Sequence, residues 1–306
     1  MKKSFISIKD LKKSEIEGIF KTARVFKKKP FCKHGALKSK SIALVFEKPS
    51  NRTRVSFEVG MFDLGGHAIY LGPEELKLGV RESVKDVAKV LSRYLDGIVA
   101  RTFRHEDVVS MAGHSAIPVI NGLSDLLHPC QGLSDLFTIE EKFGKKKIKI
   151  SYVGDGNNVL HSLLIGCGML GRDIFVATPE GCGPDEKVLK EAMKLAKLNK
   201  SVIKISDDPR KCVSDADVIY TDVWVSMGQE SDRRKKKEIL KDYQVNKKLV
   251  SLAKKNAKIM HCLPAHRGEE ITDEVLDSVN SIVYDQAENR LHVQKAILLN
   301  LLKDSV

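Results

Sequence analysis

The strongest constraint on this chain is an alternation of apolar runs and amphipathic stretches that proceeds, pauses and starts again. Residues 41–46 (SIALVF), 67–71, 97–101 and 117–120 read as strands, with helices over 53–64, 82–94 and 104–112 between them. A connecting helix over 131–143 follows. The pattern then resumes with strands at 147–153, 173–177, 201–205 and 217–220 and helices at 158–170 and 184–199. Continuously apolar strands separated by helices belong to parallel sheets covered on both faces. The chain is therefore read as α/β, with two tandem domains that each hold a central parallel sheet flanked by helices. Residues 286–303 carry apolar side chains at helical spacing and are long enough to return across the junction. The expected divisions are 1–142, 143–285 and a final segment, 286–306, that packs back on the first domain. At 306 residues and 42% hydrophobic content, the chain can fill two cores.

In open parallel sheets ligands collect where strands hand over to helices at their carboxyl ends. The handover after 41–46 is Glu47-Lys48-Pro49-Ser50-Asn51-Arg52-Thr53-Arg54. It sets Ser50, Asn51 and Thr53 as donors, and the Arg52 guanidinium, at a helix N-terminus, where free N–H groups and the helix dipole already favour an anion. Arg54 is read as a partner of Glu58 one turn on, whereas Ser50 fits either a helix cap or a phosphate ligand. The strand 97–101 ends at Arg101, and 117–120 leads to His128-Pro129-Cys130-Gln131. A guanidinium, an imidazole and an amide converging on one small oxygen would form an electrophilic clamp. Three strand ends thus aim at one anion site.

The second half offers Gly154-Asp155-Gly156-Asn157-Asn158 after its first strand. A dinucleotide fingerprint would need glycine at Val159, so an NAD-dependent dehydrogenase is disfavoured. The two asparagines instead suit a carboxylate or an amide. In Asp222-Val223-Trp224-Val225-Ser226-Met227-Gly228-Gln229-Glu230, Asp222 and Ser226 could grip an ammonium group. His261-Cys262-Leu263-Pro264 invites a nucleophile reading, but neighbouring side chains on a strand diverge, so a Cys–His dyad from this pair is not expected.

The net charge of +12 raises the question of nucleic acid. Its basic runs, 27–29, 145–147 and 233–237, lack interleaved aromatics, and only 6% of the chain is aromatic, so they read as solvated faces, and the positive field suits a small anionic substrate. No apolar run reaches the length of a signal peptide or membrane span, which makes the cytoplasm the default location. Six scattered cysteines show neither zinc spacing nor a disulfide framework; reduced thiols and no metal are expected.

Taken together, SNRTR, HPCQ, the paired asparagines, DVWVSMGQE and HCLP resemble the aspartate/ornithine carbamoyltransferase family, in family order and over nearly the whole chain. DxxxSMG and HCLP look like its ornithine branch. The resemblance implies transfer of the carbamoyl group of carbamoyl phosphate to the δ-amine of ornithine, giving citrulline and phosphate in arginine metabolism, without metal or organic cofactor, in a homotrimer with sites between subunits. It implies that Ser50, Asn51, Arg52 and Thr53 hold the phosphate, with Arg101, His128 and Gln131 around the carbamoyl group and Arg290 closing from the last helix. Asn158, Asp222, Ser226 and Met227 would hold the α-groups of ornithine. Cys262 and the Leu263 carbonyl, beside a cis Leu263-Pro264 bond, would face the reacting nitrogens, and Arg101, His128, Asp222 and Cys262 would carry the catalysis. Two positions depart from the pattern. Asn51 stands where Thr is usual, and Lys77, on a loop (71–80) that would reach a neighbouring subunit, stands where the ornithine branch has Gln or His.

Overall fold

The structure, a computed structural model, describes residues 4–225 and 233–303. The chain divides into two compact units: residues 1–137 together with 288–306, and residues 138–287. The chain passes from one to the other inside two helices, so neither division falls in a loop.

In unit 1, α1 (Lys13–Lys28) precedes β1 (Ser41–Phe46), α2 (Asn51–Asp63), β2 (His67–Leu71), α3 (Pro73–Leu76), α4 (Val84–Tyr94), β3 (Gly97–Arg101), α5 (His105–His114), β4 (Val119–Leu123) and the start of α6 (Pro129–Phe143). Helix α1 is an addition to the elements that the sequence pattern marks. The four strands are parallel in the order β2-β1-β3-β4. β1 is buried over Ile42–Phe46, and β3 is buried throughout, which is why both read as unbroken apolar runs. Between β1 and β3 the order reverses, and the register sets Phe46 beside Arg101 at their carboxyl ends. A crevice opens at such a reversal. Ala43, Val45, Val87, Ile98, Val108 and Met111 form part of the core under it.

Unit 2 runs β5 (Lys149–Val153), α7 (Asn158–Leu170), β6 (Asp173–Ala177), α8 (Glu186–Leu198), β7 (Ile203–Ser206), α9 (Pro209–Val213), β8 (Val218–Thr221), α10 (Arg233–Leu240), α11 (Lys247–Val250), β9 (Lys258–His261) and α12 (Asp273–Leu276). Its sheet is parallel, ordered β7-β6-β5-β8-β9. The reversal lies between β5 and β8, so Gly154 to Asn158 and Asp222 emerge side by side. Trp224 is buried in the core just beyond. The last helix, α13 (Val283–Leu302), starts in unit 2 and delivers residues from 288 onward to unit 1. This is the expected return of the C-terminal helix to the first domain.

Candidate active site

The anion cradle of unit 1 forms from the start of α2 outward. Ser50 caps the helix, its Oγ accepting from the Thr53 N–H at 3.3 Å. Asn51 and Arg52 are exposed, whereas Thr53 is buried. Arg54 pairs with Glu58 at 2.9 Å across one turn, as the spacing predicts. Beside this turn lie the buried side chains of Arg101, His128, Gln131 and Arg290. Arg290 donates through Nη1 to Gln131 Oε1 at 2.5 Å, through Nη2 to Thr53 Oγ1 at 3.2 Å and through Nε to Gln294 Oε1 at 2.8 Å. Ser56 Oγ donates to the same Gln294 oxygen at 3.1 Å. Segments far apart in sequence thus lock into one network.

Electrostatics sharpens the cradle's character. Burial, then the charges of Arg290 and Arg101, holds the His128 imidazole well below its ordinary pKa. His128 is therefore neutral at pH 7 and offers a hydrogen bond without competing as a cation. Cys130, also buried, has its thiol pushed up to about 12 by desolvation and is not a nucleophile. Lys77 sits apart in character: it caps α3 in the left-handed conformation (φ 42°), is 56% exposed, and pairs with Glu74 at 3.8 Å.

Unit 2 presents the opposite chemistry. Gly154 adopts φ 141°, and a Cβ on Gly156 would lie 2.3 Å from the Gly183 backbone, so the turn after β5 accepts only glycine at these points. Asn157 then caps α7, its Oδ1 accepting from Val159 N–H at 3.0 Å and Leu160 N–H at 3.1 Å. This commits its amide nitrogen, which donates to Asp222 Oδ2 at 2.7 Å. The other Asp222 oxygen accepts from Cys262 Sγ at 2.9 Å. Asp222 is buried, and Asn158 is buried at the first position of α7.

His261 and Cys262 hydrogen-bond to different carboxylates. His261 Nδ1 accepts from the Leu263 N–H at 2.9 Å, which leaves Nε2 to donate to Glu270 Oε1 at 3.0 Å, both side chains being fully buried. The same Glu270 oxygen takes the His266 N–H at 2.6 Å. Leu263 is thereby held at φ 57° ahead of a cis bond to Pro264. Asp222, His261 and Cys262 bring ligand atoms within 4.8 Å of one another, a spacing a metal could use. Each of those groups is already engaged in the hydrogen bonds above. Lys236 pairs with the neighbouring Asp155 at 2.8 Å; burial nevertheless raises the Asp155 pKa, with Lys236 opposing. Ser226 and Met227 lie outside the described residues.

The site residues therefore form two sets, Ser50 to Thr53 with Arg101, His128, Gln131 and Arg290 in unit 1, and Asn158, Asp222, Cys262 and Leu263 in unit 2. Residues 3–141 match the carbamoyl-P binding domain of aspartate/ornithine carbamoyltransferases, and residues 146–301 match the Asp/Orn binding domain. The chain belongs to the aspartate/ornithine carbamoyltransferase family. Within that family it is 54% identical over 299 residues to the anabolic ornithine carbamoyltransferase of Pyrococcus furiosus, covering 97% of this chain and 95% of that protein. It is 47% identical to the catabolic ornithine carbamoyltransferase of Thermoplasma acidophilum over 302 residues, 98% of this chain and 99% of that one. The solved structure of ornithine carbamoyltransferase from Pyrococcus furiosus superposes with a TM-score of 0.95 at 52% identity, over 99% of this chain and 98% of that chain.

For a carbamoyltransferase, several supporting residues escaped the motifs. The resemblance assigns a role to Asn158 but none to Asn157, which donates to Asp222. Glu270 and Gln294 lie outside every motif, and only tertiary contact reveals them.

Proposed function

We propose that this chain transfers the carbamoyl group of carbamoyl phosphate to the δ-amine of L-ornithine, giving L-citrulline and phosphate. The observation that supports it most is the coexistence, in one family member, of a cationic cradle at the unit 1 reversal and a carboxylate–thiol pair at the unit 2 reversal. Unit 1 is read as the carbamoyl-phosphate domain and unit 2 as the ornithine domain.

The phosphate is assigned to Ser50, Asn51, Arg52, Thr53 and Arg290, together with the N–H groups opening α2. Asn51 offers an amide donor where Thr is usual, so binding is retuned rather than lost. Arg101 and neutral His128 point their donors at the carbamoyl oxygen, where charge grows as the amine attacks, and Gln131 takes the carbamoyl nitrogen. The departing phosphate keeps Arg52 and the helix N-terminus as its counter-charge.

Ornithine presents a cation and an α-amino acid head. Asn158, Asp222, Ser226 and Met227 are assigned to the head group, and Cys262 with the Leu263 carbonyl to the reacting nitrogens. An alkyl ammonium has a pKa of about 10.4 in water and must lose its proton before it can attack. Asp222, which already accepts from the Cys262 thiol, is the final acceptor for that proton, either directly or through water, or with Cys262 taking the amine's proton as it hands its own to Asp222.

The assembly is read as a homotrimer in which Lys77 of one subunit serves the next. Exposed Val55, Val59 and Phe62 along one face of α2, with Ile69 on the edge strand β2, provide an apolar surface that supports self-association. The cysteines are free thiols, and a reducing, cytoplasmic location goes with them.

The test is to supply carbamoyl phosphate with ornithine, putrescine or aspartate in parallel and to measure carbamoylated product. Product with ornithine alone is expected. Product with putrescine or aspartate instead would overturn the amino-acid assignment and leave the phosphate half standing.

A further inference from the structure

Asp135 sits on α6 one turn beyond Gln131 and is fully buried. Its Oδ1 accepts from Gln131 Nε2 at 2.8 Å, while Gln131 Oε1 accepts from Arg290 Nη1 at 2.5 Å. A carboxylate only accepts hydrogen bonds and a guanidinium only donates them. An amide caught between the two has one orientation that satisfies both, NH2 toward Asp135 and oxygen toward Arg290. The chemistry of the partners fixes this choice, independently of how amide oxygen and nitrogen are told apart.

We infer that Asp135 is a positioning residue whose carboxylate, with Arg290 opposite it, fixes which end of the Gln131 amide meets the ligand. This rests on the carbamoyl-phosphate reading of the cradle. A carbamoyl group carries one acceptor, its oxygen, and one donor, its NH2. An amide oxygen has two lone pairs, so Gln131 Oε1 can hold Arg290 and still accept from the carbamoyl NH2. The carbamoyl oxygen is left to Arg101 and His128. If the amide turned over, its NH2 would oppose the ligand's NH2, donor against donor, and the pairing would be lost. Asp135 itself does not meet the ligand; it acts through Gln131. The consequence is selectivity: carbamoyl phosphate is told from acetyl phosphate, a near-isostere of the same charge with a methyl group where the NH2 stands.

The experiment is a calorimetric titration of the full-length protein with carbamoyl phosphate, acetyl phosphate and inorganic phosphate. The wild type should prefer carbamoyl over acetyl phosphate by about tenfold, the worth of roughly one hydrogen bond. In Asp135→Asn the replacement amide can donate as well as accept, so only Arg290 still dictates the Gln131 orientation, and the preference should fall while inorganic phosphate binds within twofold of wild type. Equal weakening of all three ligands with the preference intact would reduce Asp135 to a structural role and overturn the inference. A charge-conserving double variant, Q131E/D135N, provides an independent arm. A carboxylate at position 131 presents only acceptors and can accept from the new amide at position 135, so the preference should return even if overall affinity drops; a folded double variant without it also overturns the inference. A wild type that binds phosphate but does not distinguish the two acyl phosphates refutes the carbamoyl-phosphate reading itself, whereas a preference that survives Asp135→Asn refutes only the role of Asp135.

Discussion

The two units place their functional residues at the same topological position, the reversal in strand order, yet fill it with opposite charge. Unit 1 sets Arg101 and Arg290 around a histidine kept neutral by burial and these two buried cations, with Arg52 exposed at the start of α2. Unit 2 places two buried carboxylates there, Asp155 paired with Lys236 and Asp222 bonded to the Cys262 thiol. The contrast teaches that the fold supplies the crevice and the helix N-terminus, while the side chains at the strand ends decide which ion enters. A dianionic acyl phosphate suits the first and a diamino acid suits the second.

The largest effect should come from the cationic side. Arg101→Leu removes a buried cation that the proposed mechanism assigns to the developing charge, and single-turnover rates with both substrates saturating should drop on the order of a hundredfold or more. An unchanged rate would take Arg101 out of the mechanism. On the anionic side, Asp222→Ala removes the partner of both Asn157 and Cys262. Citrulline formation at subsaturating ornithine should fall roughly ten- to a hundredfold, the range for a hydrogen-bonded charge, while calorimetric affinity for carbamoyl phosphate stays within twofold. Matching losses in both would break the division of labour between units.

Next in size is stability. Lys236→Met leaves the Asp155 carboxylate buried without its 2.8 Å partner, and thermal unfolding at pH 8 should show a loss of about 2 kcal/mol, characteristic of an unsatisfied polar group. Lowering the pH should narrow that loss as Asp155 protonates.

Acid should also separate the units. The His128 pKa is lowered in the folded protein, so the unfolded chain takes up its proton first. Stability from this group is present above the unfolded value of about 6.5 and is lost as pH falls toward and through the lowered folded value. His105 and His292, also lowered by burial and also in unit 1, push the same way. Asp155 has the reverse sign: raised by burial, it favours the folded state as pH falls through its folded value. His128→Asn should therefore flatten the decline in melting temperature between pH 7.5 and 5.5; an unaltered slope would show that His128 is not held neutral by folding.

The smallest effect sharpens the contrast within one helix turn. Arg54→Ala removes an exposed pair with Glu58 and should cost only about 0.3–0.5 kcal/mol with activity retained. Arg52→Ala, two residues away, should weaken phosphate binding.

The alternation of strands was legible because each central strand is buried on both faces and must be apolar along its length. Strand 41–46 and helix 158–170 match the structure residue for residue. Helix α1 is legible by helical spacing rather than by strand alternation: its buried residues, Ile16, Ile19, Phe20, Ala23 and Phe26, recur every three or four positions ahead of the first strand. In the site, polar residues at strand ends stood out against apolar runs, which made Arg101, His128 and Asp222 visible.

Sequence alone therefore determined the α/β class, the two tandem sheets and the sign of charge at each crevice, because burial and helix periodicity act on near neighbours in the chain. Tertiary structure decided what those neighbours could not. It made Asn157 a partner of Asp222, gave His261 to Glu270, and set Gln131 between Asp135 and Arg290. Each of these turns on a hydrogen bond whose direction depends on which donor or acceptor arrives from another segment, and no local pattern records that.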